Sequence, residues 1–197
     1  MTKANPKVVH GQETVQKMVQ VARDLFSRHG YANTPTEEIV HQAGVTRGAL
    51  YHHFKGKQDL FLAVFEEAQQ EISARIVEAA EAAGTPWEAL TAGCQGFLAA
   101  CMDPQLQQIV IIDAPAVLGW EMWRQIDSKH GLNDLKQALR DLSEAGLIKP
   151  LPLEALAHLL SGAMNEAVLW IAQAERPDQA LGEATEALNT LLAALRE

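Results

Sequence analysis

The stretch from Thr36 to Phe61, TEEIVHQAGVTRGALYHHFKGKQDLF, constrains this chain more than any other. Ile39, Val40 and Ala43 form one short helical face, Gly44 ends it, and Ala49, Leu50 and Phe54 form a second face that stops at Lys55-Gly56-Lys57. The second helix has room for only about two turns, too few to repay the cost of nucleation. It closes on four ring side chains in a row, Tyr51-His52-His53-Phe54. Such a helix persists only where something outside it supplies the missing free energy: packing, a ligand or a groove.

The flanking pattern is helical throughout. Residues 1–11 are mostly polar and contain Pro6, which predicts a flexible arm. From Gln12 to His29, Val15, Met18, Val19, Ala22, Leu25 and Phe26 recur every three to four residues, the period of a helix with one buried face, and Gly30 stops it. Thr34-Pro35-Thr36-Glu37 reads as a capped start, with Thr34 as N-cap, Pro35 as the first helical residue and Glu37 as the reciprocal partner. Thr46 is placed to cap the short third helix. A long fourth helix begins near Gln58 and fades at Gly84. Thr85-Pro86-Trp87-Glu88 repeats the cap design and opens an apolar helix to about Met102. Asp103-Pro104 opens another to Ile112, followed by a turn at Asp113-Ala114-Pro115. A segment from about Leu118 to Ala145 interrupted near Gly131, a helix after Pro152 and a last one from Pro177 complete about nine helices, with little strand signal. The expected fold is all-α: a small three-helix unit over 12–57, then a larger helical bundle over 58–197.

Composition narrows function more than fold. The 197 residues are 48% hydrophobic and 21% charged, which supports a substantial core. Cys94 and Cys101 share one helix face and are expected to be reduced and buried. With no signal-like segment and no run of 18 or more apolar residues, a cytoplasmic protein with no membrane partner is expected. The seven histidines form no HExxH, no CxxC exists, and Gly44, Gly48 and Gly56 make no phosphate loop because no strand precedes them. His52 and His53 are adjacent and diverge by about 100° on a helix, which makes joint metal ligation awkward. No metal, cofactor or catalytic residue is therefore expected.

The formal charge of −9 opposes a polyanionic partner, but its distribution reverses that reading. Residues 1–60 carry 8 Lys/Arg against 5 Asp/Glu, whereas residues 61–197 carry 8 against 20. A basic segment on an acidic body points to a module that meets nucleic acid. Two helices separated by a few residues around Gly44 have the geometry of a helix-turn-helix, and the DNA major groove, about 12 Å wide, admits one helix. An ordinary helical corner accounts for Gly44 but not for Arg47, Tyr51 and His52 as polar tips on the outer face.

The segments HGYANTPTEEIVHQAGVTRGA and LYHHFKGKQDLF closely resemble the N-terminal DNA-binding region of the TetR/AcrR (tetracycline-repressor) family of bacterial transcriptional regulators. The match spans about residues 12–62. It rests on A-x-x-L-F-x-x-x-G-Y from Ala22 to Tyr31, A-G-V-x-x-G-x-L-Y-x-H-F from Ala43 to Phe54, and K-x-x-L from Lys57 to Leu60. The resemblance implies a homodimer, usually a repressor, that binds double-stranded operator DNA through its first three helices and holds a small-molecule effector in its C-terminal domain. It makes Thr46 the cap of the recognition helix and a phosphate contact, and Arg47, Tyr51 and His52 the base-edge or backbone contacts. Gly48 becomes a position where a side chain would obstruct approach, and Lys57, with Lys55 nearby, a phosphate contact. Tyr51 has a second reading, its ring laid on the first helix with only the hydroxyl outside.

Beyond residue 62 the residues speak for themselves. Phe97, Met102, Ile109, Trp120 and Trp123, with Trp170 on a later helix, are large adaptable side chains expected around a cavity for a planar or hydrophobic effector. Asp113, His130 and Asn165 are candidate polar contacts there. For each large side chain the plain alternative is core filling. A constitutive or protein-regulated DNA binder with a filled pocket is the second reading of the whole chain, and a helical enzyme the third. The last two helices carry more apolar face than one protomer needs and are expected to pair as a four-helix dimer interface through Leu156, Leu160, Ala163, Ala167, Leu188 and Leu192.

Overall fold

Capping chemistry sets most helix starts, and it also explains where the expected boundaries move. The computed structural model describes residues 6–197, with side chains from Gly11 onward. Helix α1 spans Pro6–His29, so it begins inside the expected arm, whose residues 1–5 lie outside those described. Helices α2 (Thr36–Ala43) and α3 (Arg47–His53) follow, joined through Gly44 at φ +62°. Thr34 is not the cap of α2. It is fully buried, its hydroxyl donates to the Gly30 carbonyl at 2.9 Å to close the end of α1, and Pro35 occupies the cap position. Thr46 does cap α3, accepting the Ala49 N–H at 3.1 Å, and Thr85 caps α5 (Pro86–Ala100) by accepting the Glu88 N–H at 3.2 Å. Between them runs α4, Lys57–Glu81.

The turn expected at Asp113-Ala114-Pro115 does not form. Helix α6 runs unbroken over 104–118, with Gln107–Asp113 wound as π-helix. That register accommodates the proline. The Ala114 N–H bonds the Ile109 carbonyl five residues back, so the missing N–H of Pro115 orphans the carbonyl of Val110. The indole N–H of Trp123 fills that vacancy at 3.0 Å. Gly119, at φ +81°, makes the break instead. Helix α7 is also continuous, over 120–144, and Gly131 falls in a second π-wound stretch, Ser128–Leu132, without interrupting it. With α8 (Leu153–Gln173) and α9 (Pro177–Ala193), the described residues form nine helices, and their only β pairing is an isolated bridge between Ile148 and Arg196. The fold is all-α.

Three rings key the first domain to the second. Phe26 and Phe61 are fully buried, with centroids 5.3 Å apart, and Tyr31 stands edge-on to Phe61 at 5.1 Å. The core continues along α4 through Phe65 and Ile72 to Leu98 and Ile109. Across the junction, Asp113 accepts the backbone N–H of Tyr31 at 2.8 Å and Gln58 donates to the Val117 carbonyl at 2.6 Å. A chain of ion pairs, Arg23–Glu71–Arg75–Asp103, ties α1 through α4 to the start of α6. Cys94 and Cys101 are buried free thiols, and burial pushes both up to about 12, which keeps them protonated and unreactive.

Candidate nucleic-acid interface and cavity

Leu50, fully buried, and Phe54 anchor α3, and the rest of the helix turns outward. Thr46, Arg47, Gly48, His52 and Lys55 are exposed, as is Tyr51 at 48%. The Tyr51 ring is therefore a surface group, with the Arg47 guanidinium 5.7 Å from its centroid. Arg47 also meets Glu37 of α2 at 3.4 Å, both side chains about two-thirds exposed. So exposed a pair adds little stability, and Arg47 can exchange this carboxylate for a phosphate or a guanine edge.

Gly48 is informative because the protein itself does not need it. A Cβ there would meet only the Thr46 hydroxyl, at 3.8 Å. Glycine costs a helix about 0.5–1 kcal/mol relative to alanine, a substantial fraction for one this short. Close approach of a DNA backbone would explain the choice. Gly48→Ala should accordingly raise unfolding stability by about 0.5–1 kcal/mol while weakening DNA binding. Denaturation and binding titrations on the same preparation check both halves, and undiminished affinity would remove the explanation.

Lys57 opens α4, as expected, and packs on Tyr31. Its ammonium lies 4.1 Å from the Tyr31 ring centroid, half-buried at the domain junction. Burial lowers its pKa, and the nearby Asp113 carboxylate pulls the other way. The side chain is held against the ring by cation–π attraction.

A cavity of about 250 Å³ opens between α4, α5, α7 and α8. Ile76, Leu90, Phe97 and Met164 form apolar walls, and a single stripe of α7 containing Asp127, Gly131, Asp134, Ala138 and Asp141 forms another. Gly131, in the π-wound turn, leaves open space, since a side chain there would meet nothing within 4 Å. The polar end holds Asp127 and Ser161, both buried, and Asn165. One Arg124 nitrogen donates to Asp127 Oδ2 at 2.8 Å and to Ser161 Oγ at 3.1 Å. Burial raises the Asp127 pKa, and the Arg124 charge opposes that shift.

Of the positions expected at the cavity, Phe97 and Asn165 line it; Met102, Ile109, Asp113, Trp120, Trp123, His130 and Trp170 do not. Ile109 is fully buried in the core, Trp123 is committed to the Val110 carbonyl, and Asp113 holds Tyr31. Trp120 is 68% exposed and stacks on Trp123 at 5.0 Å, while Met102 and His130 are half-buried away from the cavity wall. Sequence reasoning misses Asp127 and Ser161. The legible signal for Asp127 is a carboxylate set inside the buried run of Trp123, Ile126 and Leu132.

The residues expected at a dimer contact divide between the protomer's core and its surface. Leu160, Leu188 and Leu192 belong to the protomer's own core, and Leu156 is half-buried against it. The inward stripe of α8 is Ala157, Leu160, Ser161, Met164, Val168 and Ile171, which leaves the opposite stripe uncovered. Leu159 and Trp170 there, and Leu191 on α9, are 71%, 47% and 57% exposed. Ala163 and Ala167 lie between them along a shallow apolar groove that also takes in Trp170, so this tryptophan belongs to the surface and not to the cavity.

Both halves of this arrangement recur in known proteins. Residues 19–64 match the model for bacterial regulatory proteins of the tetR family, and residues 87–195 match that for the tetracyclin repressor-like C-terminal domain. The transposon Tn10 TetC protein of Escherichia coli is 28% identical over 162 residues, 82% of each chain. The HTH-type transcriptional regulator AcrR of Shigella flexneri is 49% identical over 61 residues, 31% of this chain and 28% of that protein. The crystal structure of a TetR-family transcriptional regulator from Pectobacterium atrosepticum superposes with a TM-score of 0.82 at 32% identity, covering 100% of this chain and 98% of the other. FadR of Bacillus subtilis, solved in complex with stearoyl-CoA, shares the fold at 21% identity with a TM-score of 0.74, over 92% of this chain and 99% of that one. With the helix-turn-helix inside the first matched segment and most of the cavity and the uncovered helix face inside the second, the chain belongs to the TetR family of bacterial transcriptional regulators.

Proposed function

We propose that the protein is a dimeric repressor that grips a palindromic operator with two α3 helices and answers to a small hydrophobic effector in the α4–α5–α7–α8 cavity. The observation that carries the DNA reading is the α3 face, where Arg47 and Tyr51 flank a glycine that the fold does not require. Charge supports it, since the basic excess lies in the first 60 residues and the acidic excess in the rest. Pairing is supported by α8. This apolar helix leaves Leu159 and Trp170 uncovered within the protomer. The α8 and α9 of a second protomer would cover them. Effector control is supported by shared elements: α4 forms a cavity wall and also carries Phe61 and Lys57 under the DNA-binding unit.

Arg47→Ala should weaken operator binding by about 1–3 kcal/mol if the guanidinium makes a bidentate base contact, and should relax specificity at the base it reads. The operator would first be selected by the protein from random duplexes. Titrations on that duplex and a scrambled one, at several salt concentrations, then decide the matter. Equal affinity of variant and parent for the selected duplex would show that the reading face is elsewhere.

A further inference from the structure

The cavity wall is electrically one-sided. Its charged groups are three carboxylates, Asp127 at the buried end and Asp134 and Asp141 on the same α7 stripe towards the surface, and no lysine or arginine lines it. Arg124 neutralises Asp127 from outside the wall, so the ion pair turns its negative end to the cavity. Only Oδ2 of Asp127 receives the guanidinium. Beside it, the buried Gln69 carboxamide is close enough to favour the Asp127 carboxylate. The surrounding walls are apolar, which strengthens any charge–charge interaction inside and would strand a bound anion without a partner.

We propose that the effector of this cavity is a small lipophilic organic cation, its apolar part against Ile76, Leu90, Phe97 and Met164 and its charge towards Asp127, and that the site rejects hydrophobic anions. The inference rests on the reading of the cavity as the effector site and deepens it. The volume of about 250 Å³ lies at or just below the small end of the usual range for ligand sites, roughly 300–1,000 Å³, so one ring with a compact cationic head is the right scale. The carboxylates at 134 and 141 are exposed and serve to attract the cation to the entrance. A long acyl thioester with a polyphosphate head, as held by FadR, finds no basic group on this wall.

The test uses three ligands of nearly the same size and different charge on the full-length protein: benzyltrimethylammonium, its neutral isostere neopentylbenzene, and 3-phenylpropanoate. Calorimetric titration should rank the cation first, by about tenfold or more over the neutral isostere, with the anion weakest. Asp127→Asn should remove most of that margin by weakening the cation about tenfold while leaving the neutral ligand unchanged. Because Asp127→Asn disturbs a buried pair, Asp134→Asn with Asp141→Asn serves as the second variant. Both positions are exposed, and the double change should weaken the cation about two- to threefold without loss of fold. Binding of the neutral or anionic ligand as tightly as the cation, cation affinity unchanged in both variants, or no binding by any of the three would overturn the proposal. Duplex binding by the ligand-free protein, measured in parallel, separates such a failure from a failure of the regulator reading itself.

Discussion

Leu159→Glu combined with Leu191→Glu is expected to give a folded monomer whose operator affinity is lower by about 10²–10⁴-fold. Both side chains project from the uncovered faces of α8 and α9, 71% and 57% exposed, so the protomer loses almost none of its own packing. In a dimer they would lie near the centre of a four-helix contact of at least about 1,000 Å², where two added carboxylates per protomer face each other across a desolvated surface. One helix-turn-helix alone grips one half-site. The second half-site then binds as a separate event and not at the high effective concentration set by a rigid partner, which is the source of the factor. Analytical ultracentrifugation reports the assembly, circular dichroism the fold, and titration on the selected operator the affinity. A double variant that still sedimented as a dimer would place the interface elsewhere on the molecule.

Local chemistry was legible in the chain, and cross-chain chemistry was not. Thr46 and Thr85 cap the helices that sequence reading assigns to them, because a cap needs only a hydroxyl and an N–H three residues on. Thr34 has the same local pattern but is claimed by the end of α1, whose Gly30 carbonyl competes for its hydroxyl. Pro115 signals a turn by every local rule, and the signal is cancelled by a π-wound register together with an indole N–H from Trp123 on the next helix. On α8 the apolar residues are plain, but periodicity alone does not say which of two apolar stripes faces the protomer's own core. The choice fell to Leu160 and Met164, and Leu159 and Trp170 were left outside. Lys57 shows the same limit at the candidate site. Its position at the start of α4 is local, but the ring that holds it belongs to Tyr31, across the first-domain core. The cavity depends on how α4, α5, α7 and α8 cross, so Phe97 and Asn165 could be guessed from size and polarity while Asp127 could not.

Phe61→Ala should cost about 3–5 kcal/mol of unfolding stability and uncouple the two domains. The ring is fully buried, meets Phe26 edge-on at 5.3 Å and Tyr31 at 5.1 Å, and occupies the point where α1 and α4 join. Its removal leaves a void that these neighbours cannot close without moving Tyr31. That residue is fixed twice from outside the first domain's core, through its N–H to Asp113 and through its ring to Lys57. The void therefore strains the link to α6 as well as the packing of the DNA-binding unit. The placement of the tryptophans makes the two effects separable. All four, Trp87, Trp120, Trp123 and Trp170, lie beyond α4, so their fluorescence follows the second domain while helical circular dichroism follows both. In the parent, with one core continuous from Phe26 to Ile109, the two probes should give a single shared transition in denaturant. In Phe61→Ala the circular dichroism signal should begin to fall first, as the DNA-binding unit unfolds, with the fluorescence change following at higher denaturant. Phe61→Leu keeps part of the volume and should cost less, with the probes closer together. A loss below about 1 kcal/mol in Phe61→Ala, or probes that remain superimposed, would mean that the ring trio does not couple the domains.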